Sequence, residues 1–242
     1  MSLLNKLKVA VDRQVGPPRM GRESRPVVSV PAEGPGPAFV PRAGRFSNGL
    51  KDFLWHLDGI GKGSLLDLGP VWQTTVSFFV ERGFKVYTED LLLAWTNFLR
   101  AEETRLRNLP AGEDGAGMTP EARAERFLQN SLQYAEQSFD AVLAWDLFDY
   151  ADNPLLTRVV DRLSDMLRHG GVILALFHNR PPEGFHRYRV LDGQNLELIP
   201  TPPMAPVQRI YQNREIQNLF SRFHSSKTFV GRDQLREGLF IR

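Results

Sequence analysis

Apolar residues carry a regular rhythm from Ser47 to the end of the chain. Leu50, Phe53, Leu54 and Leu57 recur at helical spacing behind Ser47, a residue type that caps helices, and Gly59 is a stop signal. SLLDLG (64–69) is a short apolar run closed by glycine and predicts a buried strand. TTVSFFVERG (74–83) predicts a helix ending at Gly83, and KVYTEDLL (85–92) a second strand leading into a helix over 92–107. Residues 108–118 form a glycine-rich insertion, after which Thr119 and Pro120 open another helix, TPEARAERFLQNSLQ. FDAVLAWDLF (139–148) predicts the next strand, 153–168 a helix stopped at His169-Gly170-Gly171, and VILALFHN (172–179) a fourth strand. Strands alternating with helices at this spacing predict a parallel sheet with right-handed crossovers.

The last third breaks that rhythm. Residues 187–200 predict a hairpin turned around Asp192-Gly193, the centre of an insertion at about 181–206 expected to stand over the carboxyl ends of the strands. Residues 213–223 predict a helix, and the chain finishes as two strands joined near Asp233. At the other end, residues 1–14 predict a short amphipathic helix with Leu3, Leu4, Leu7 and Val11 on one stripe. A helix that short is marginal alone in water, so it is expected to dock on a partner, a membrane surface or a second copy. Residues 16–45 hold seven of the 17 prolines and predict a disordered linker. The organisation is therefore a leader over 1–46 and one α/β domain over 47–242.

Composition narrows the setting. At 42% hydrophobic and 24% charged residues the chain is ordinary for a soluble protein, and no apolar run reaches the ~18 residues of a membrane span. Lys6 and Lys8 interrupt the only apolar stretch that could serve as a signal peptide. With no cysteine there is no disulfide framework or thiolate nucleophile, and a cytoplasmic location is expected. The pI near 9.0 does not point to nucleic acid. Residues 1–50 carry a net +5 and the remainder −3, so the excess positive charge lies on the leader.

The chemistry-bearing positions cluster at predicted strand ends. Gly59, Gly61, Lys62 and Gly63 precede a strand, whereas a phosphate-cradling loop follows one, so they read as a helix stop and a turn. The five histidines show no metal-ligand spacing, and no G-x-S-x-G elbow is present.

LLDLG (65–69), the acids after the second strand, and a final antiparallel strand together resemble the class I S-adenosylmethionine-dependent methyltransferases over about residues 47–242. That resemblance implies a doubly wound, mostly parallel seven-stranded sheet with an antiparallel C-terminal strand, a Rossmann-like fold. It implies S-adenosylmethionine as cofactor, with Asp67 and Gly69 at its methionine part and Asp90 or the adjacent Glu89 at its ribose. Gln133 and Tyr134 fall where the family contacts adenine, and Asp146 where the sulfonium and acceptor meet. Asp146 and His178 are the candidate catalytic groups, His178 as a base at the end of the fourth strand. The sequence departs from the family at the glycine turn, which reads Gly69-Pro70-Val71-Trp72-Gln73, with Val71 and Gln73 in place of two glycines. A β-branched valine resists the backbone freedom glycine allows. Two functions stay open: methyl transfer to a small-molecule or protein acceptor, or a catalytically inactive methyltransferase-like binding or scaffold protein. The N-P-P-Y or D-P-P-Y sequence of amino-methylating nucleic-acid enzymes is absent after FDAVLAWD.

Overall fold

The computed structural model describes residues 44–108, 118–145, 147–231 and 233–242. The leader helix and nearly all of the linker lie outside the described residues, as do most of the 108–118 insertion and Asp146. In chain order the elements are β1 (Arg45–Phe46), α1 (Asn48–Leu57), β2 (Gly63–Asp67), α2 (Gln73–Val80), β3 (Phe84–Thr88), α3 (Leu91–Arg107), α4 (Pro120–Leu128), β4 (Phe139–Ala144), α5 (Asn153–Met166), β5 (Leu167–His178), β6 (His186–Val190), β7 (Asn195–Pro200), α6 (Asn213–Leu219), β8 (Ser225–Val230) and β9 (Leu235–Ile241).

The central sheet has the order β3-β2-β4-β5-β9-β8. The first four strands are mutually parallel, and β9 runs antiparallel between β5 and β8. Six strands are present among the described residues where seven were expected. The strand that would flank β3 is not formed there, so β3 is an edge. The inner strands read as continuous apolar runs because both faces are covered. On one face Leu65, Leu143, Leu174 and Leu239 pack under α1 and α2 with Phe53 and Phe79. On the other, Leu66, Val142, Ile173 and Phe240 pack under the remaining helices with Trp95, Phe127 and Phe220.

Side-chain caps fix where the helices start. The Ser47 hydroxyl accepts the Leu50 N–H at 2.9 Å, and Asp90 and Asp152 do the same for Leu93 and Leu155. Asp90 therefore ends the second strand earlier than 85–92 implied, since a residue cannot cap α3 and extend β3. The stop expected at His169-Gly170-Gly171 is instead part of β5. Gly170 takes φ +77°, its N–H reaches the Arg242 carbonyl, and Arg242 N–H returns to Gly171, so the chain end holds this turn in the ladder.

Residues 186–200 form the hairpin β6–β7, which β1 extends into a small antiparallel sheet of order β1-β7-β6. Arg45 and Phe46, assigned to the leader from sequence, thus pair with Leu196 and Asn195. Arg45 also forms ion pairs with Asp233 and the buried Glu237, tying that sheet to β9. No helix among the described residues is long and apolar enough to cross a membrane.

Candidate functional site

Because β2, β3, β4 and β5 are parallel, Asp67, Glu89 and Asp90, Trp145 and His178 all lie at one edge of the sheet. The strand order reverses between β2 and β4, the place where open α/β sheets bind ligands. Asp67 is buried there, 1% exposed. Its Oδ1 accepts the Gly69 N–H at 3.0 Å, a local Asx turn, and the Trp145 indole N–H at 2.7 Å. A Cβ on Gly69 would stand 2.7 Å from Trp145 Cδ1. The glycine is thus needed for close approach, and what approaches is this chain's own indole. Val71, which replaces a glycine of the family's turn, is 60% exposed, and Trp72 lies under the Arg189 guanidinium.

The second pair of acids is also engaged. Glu89 accepts the Leu132 N–H at 2.9 Å and interacts with the Tyr134 hydroxyl. Burial, and then the charge of Glu89, push the Tyr134 hydroxyl well above its ordinary pKa. Gln133 donates to the Leu128 and Ser131 carbonyls, pinning the turn in which Leu132 takes φ +54°. Glu89 and Tyr134 therefore meet, while the amide of Gln133 serves its own turn. Asp90 receives Arg187 of β6 on both oxygens, each at 3.0 Å. Arg187 also lies 5.4 Å from the Phe185 ring centre and contacts Met204.

The hairpin therefore sits against this edge. Tyr188 stacks on Trp145 with centroids 6.3 Å apart and planes 17° from parallel, and Val190 N–H reaches Thr75 at the start of α2. On the far side of Tyr188 is a cleft of about 230 Å³, lined among others by His178, Arg180, His186, Leu198 and Asp233. His178 is held by Asp149, whose Oδ2 meets the His178 backbone N–H at 2.9 Å and ring Nδ1 at 2.8 Å. Asp149 Oδ1 and Asn179 Oδ1 are buried with no hydrogen-bond partner among the described residues. Burial lowers the nearby Arg236 guanidinium, and the charge of Asp149 acts in the opposite direction. The Trp145–Tyr188 stack thus links Asp67, to which Trp145 donates, with the His178 cleft, which Tyr188 lines. Among the described residues no group of three or more His, Asp or Glu could hold a metal ion.

Sequence reasoning missed Trp145, Asp149, Arg187 and Tyr188 as parts of this edge. Each acts through a partner far away in the chain, and no local spacing marks it. Asp67 and Asp90 lie at the carboxyl edge of the sheet, and each accepts hydrogen bonds from within the chain. On the side where Gly69 would carry a Cβ, the Trp145 indole stands in the way.

No protein-family model and no curated protein matches the chain. Among solved structures it is similar to a SAM-dependent methyltransferase from Methanosarcina mazei (13% identity, 75% of this chain and 91% of that one, TM-score 0.36). It is also similar to the Burkholderia thailandensis 1,6-didemethyltoxoflavin-N1-methyltransferase, solved with 1,6-didemethyltoxoflavin and S-adenosylhomocysteine (13%, 80% and 76%, 0.40). A third is the glycopeptide N-methyltransferase MtfA with bound SAM (16%, 85% and 99%, 0.38). What those proteins bind and methylate is a property of theirs. In fold, the described domain is a Rossmann-like α/β domain with a mainly parallel sheet and an inserted antiparallel strand.

Proposed function

We propose that this chain is an S-adenosylmethionine-dependent methyltransferase acting on a small-molecule or protein acceptor in the cytoplasm. One observation carries the reading. Asp67 ends β2 at the point of reversal, Asp90 caps α3 just after the neighbouring parallel strand β3, and each is satisfied by a donor that a ligand could replace. The indole N–H of Trp145 stands on Asp67 where an ammonium would, and the Arg187 guanidinium stands on Asp90 where vicinal hydroxyls would. Largely buried carboxylates need such donors.

The chemistry supplied on binding is an already activated methyl group. The chain's own residues have the remaining tasks. Asp67 and Asp90 orient by accepting hydrogen bonds, the hairpin excludes water, and His178 takes a proton from the acceptor. Trp145 over Gly69 favours a second reading, in which the crevice stays shut and the domain serves as an inactive binding or scaffold protein.

Calorimetric titration of the full chain with S-adenosylhomocysteine separates the two. Binding by the wild type supports the first reading. No heat from the wild type, from Trp145→Ala or from Arg187→Ala at millimolar ligand, with all three folded, leaves the second.

A further inference from the structure

We infer that Asp149 is the positioning residue of the His178 cleft, holding the imidazole so that Nε2 is the basic atom presented to a hydroxyl-bearing ligand. This rests on the reading of His178 as a base. Asp149 Oδ2 accepts from both the backbone N–H and the ring Nδ1 of His178, so one oxygen fixes the ring relative to its own strand. A carboxylate has no proton to give, so Nδ1 carries the hydrogen and the lone pair of the neutral ring is on Nε2. His178 lines the cleft, and Nδ1 is already committed, which leaves Nε2 for a ligand.

Charge and burial support more than a structural pin. Asp149 is 3% exposed, and its charge is felt by the buried Arg236. A carboxylate held against Nδ1 in this way stabilises positive charge on the ring when Nε2 takes up a proton. A pin alone would be served by any acceptor. The second oxygen of Asp149 is buried with no hydrogen-bond partner among the described residues, so the carboxylate directs its one described pair of side-chain hydrogen bonds to His178. The walls of the cleft are in part apolar, from Pro181, Tyr188 and Leu198. The proton of a hydroxyl-bearing ligand would pass to the Nε2 lone pair, the O–H bond breaking with its electron pair kept on the oxygen and an N–H bond forming on the ring.

The test uses the full chain labelled with ¹⁵N-histidine and needs no cofactor. Long-range ¹H–¹⁵N spectra, with the His178 signal assigned from His178→Gln, are expected to show the Nδ1–H tautomer. Diethyl pyrocarbonate is expected to modify His178 at Nε2, read by peptide mass spectrometry. Asp149→Asn offers an amide donor to Nδ1, so His178 should switch to the Nε2–H tautomer and lose that modification. A wild-type His178 in the Nε2–H form overturns the inference, and this measurement stands even if the variant does not fold. A folded Asp149→Asn with tautomer and modification unchanged overturns it as well. Either failure would leave S-adenosylhomocysteine binding untouched, so it is distinguishable from failure of the methyltransferase reading.

Discussion

Replacing Arg187 with alanine removes the donor that occupies Asp90, and its cost can be worked from the contacts. One guanidinium nitrogen, Nη2, meets both carboxylate oxygens at 3.0 Å, with the arginine side chain 5% and the aspartate side chain 18% exposed. That lies between an exposed ion pair, worth about 0–1 kcal/mol, and a buried one, where removing one partner costs about 3–5 kcal/mol. Asp90 keeps only the Leu93 N–H of the contacts described for it, so about 2 kcal/mol is expected. Loss of the guanidinium over Phe185 adds about 0.5–1 kcal/mol. For a domain of this size each kcal/mol moves the melting temperature by about 2–4 °C, so Arg187→Ala should melt roughly 5–10 °C lower. The ligand side has the opposite sign. If binding must first break a pair worth about 1–2 kcal/mol, its removal should tighten S-adenosylhomocysteine by about 5–30-fold. Differential scanning calorimetry and titration calorimetry read the two effects. A variant that melts with the wild type and binds no more tightly would refute the idea that Arg187 holds the place of a ligand.

Two further outcomes are expected. Gly69→Ala puts a methyl group against Trp145 in a filled site and should lower stability in urea by about 1–3 kcal/mol; an unchanged midpoint would place the indole elsewhere. Tyr134 has a raised pKa in the fold, so the stability it contributes is complete below the ordinary tyrosine value of about 10 and is lost as pH rises towards its folded value. Guanidinium unfolding across that alkaline window should therefore show a falling stability that Tyr134→Phe flattens; equal slopes in both proteins would contradict it.

Periodicity was enough to place β2, β3, β4 and β5, because their apolar runs and glycine or aspartate stops are local. Asp67 and Asp90 could be located for the same reason, each standing where a strand gives way to a turn or a cap. Their occupants could not. Trp145 reaches Asp67 from 78 residues away and Arg187 reaches Asp90 from 97, distances over which only the assembled sheet and hairpin bring side chains together. Asp149 lies closer to His178, 29 residues away, but its role depends on β4 and β5 pairing in parallel. The predicted stop at Gly170-Gly171 failed because the signal is real but local. Gly170 does turn the chain, and the backbone of Arg242 then draws the turn into β5.

The position of β9 bears on the order of assembly. It enters the sheet between β5 and β8, pairing with β5 from Val172 to His178 on one side and with β8 on the other. Until residues 235–241 leave the ribosome, the long apolar strand β5 therefore keeps one row of backbone donors and acceptors open, and β8 has no sheet to join. The four parallel strands can form their ladder earlier, but that intermediate exposes an unpaired edge, the surface most prone to join another chain. Emergence of the seven-residue strand β9 is thus the event that joins β8 to the parallel strands, because β9 is an interior member of the sheet.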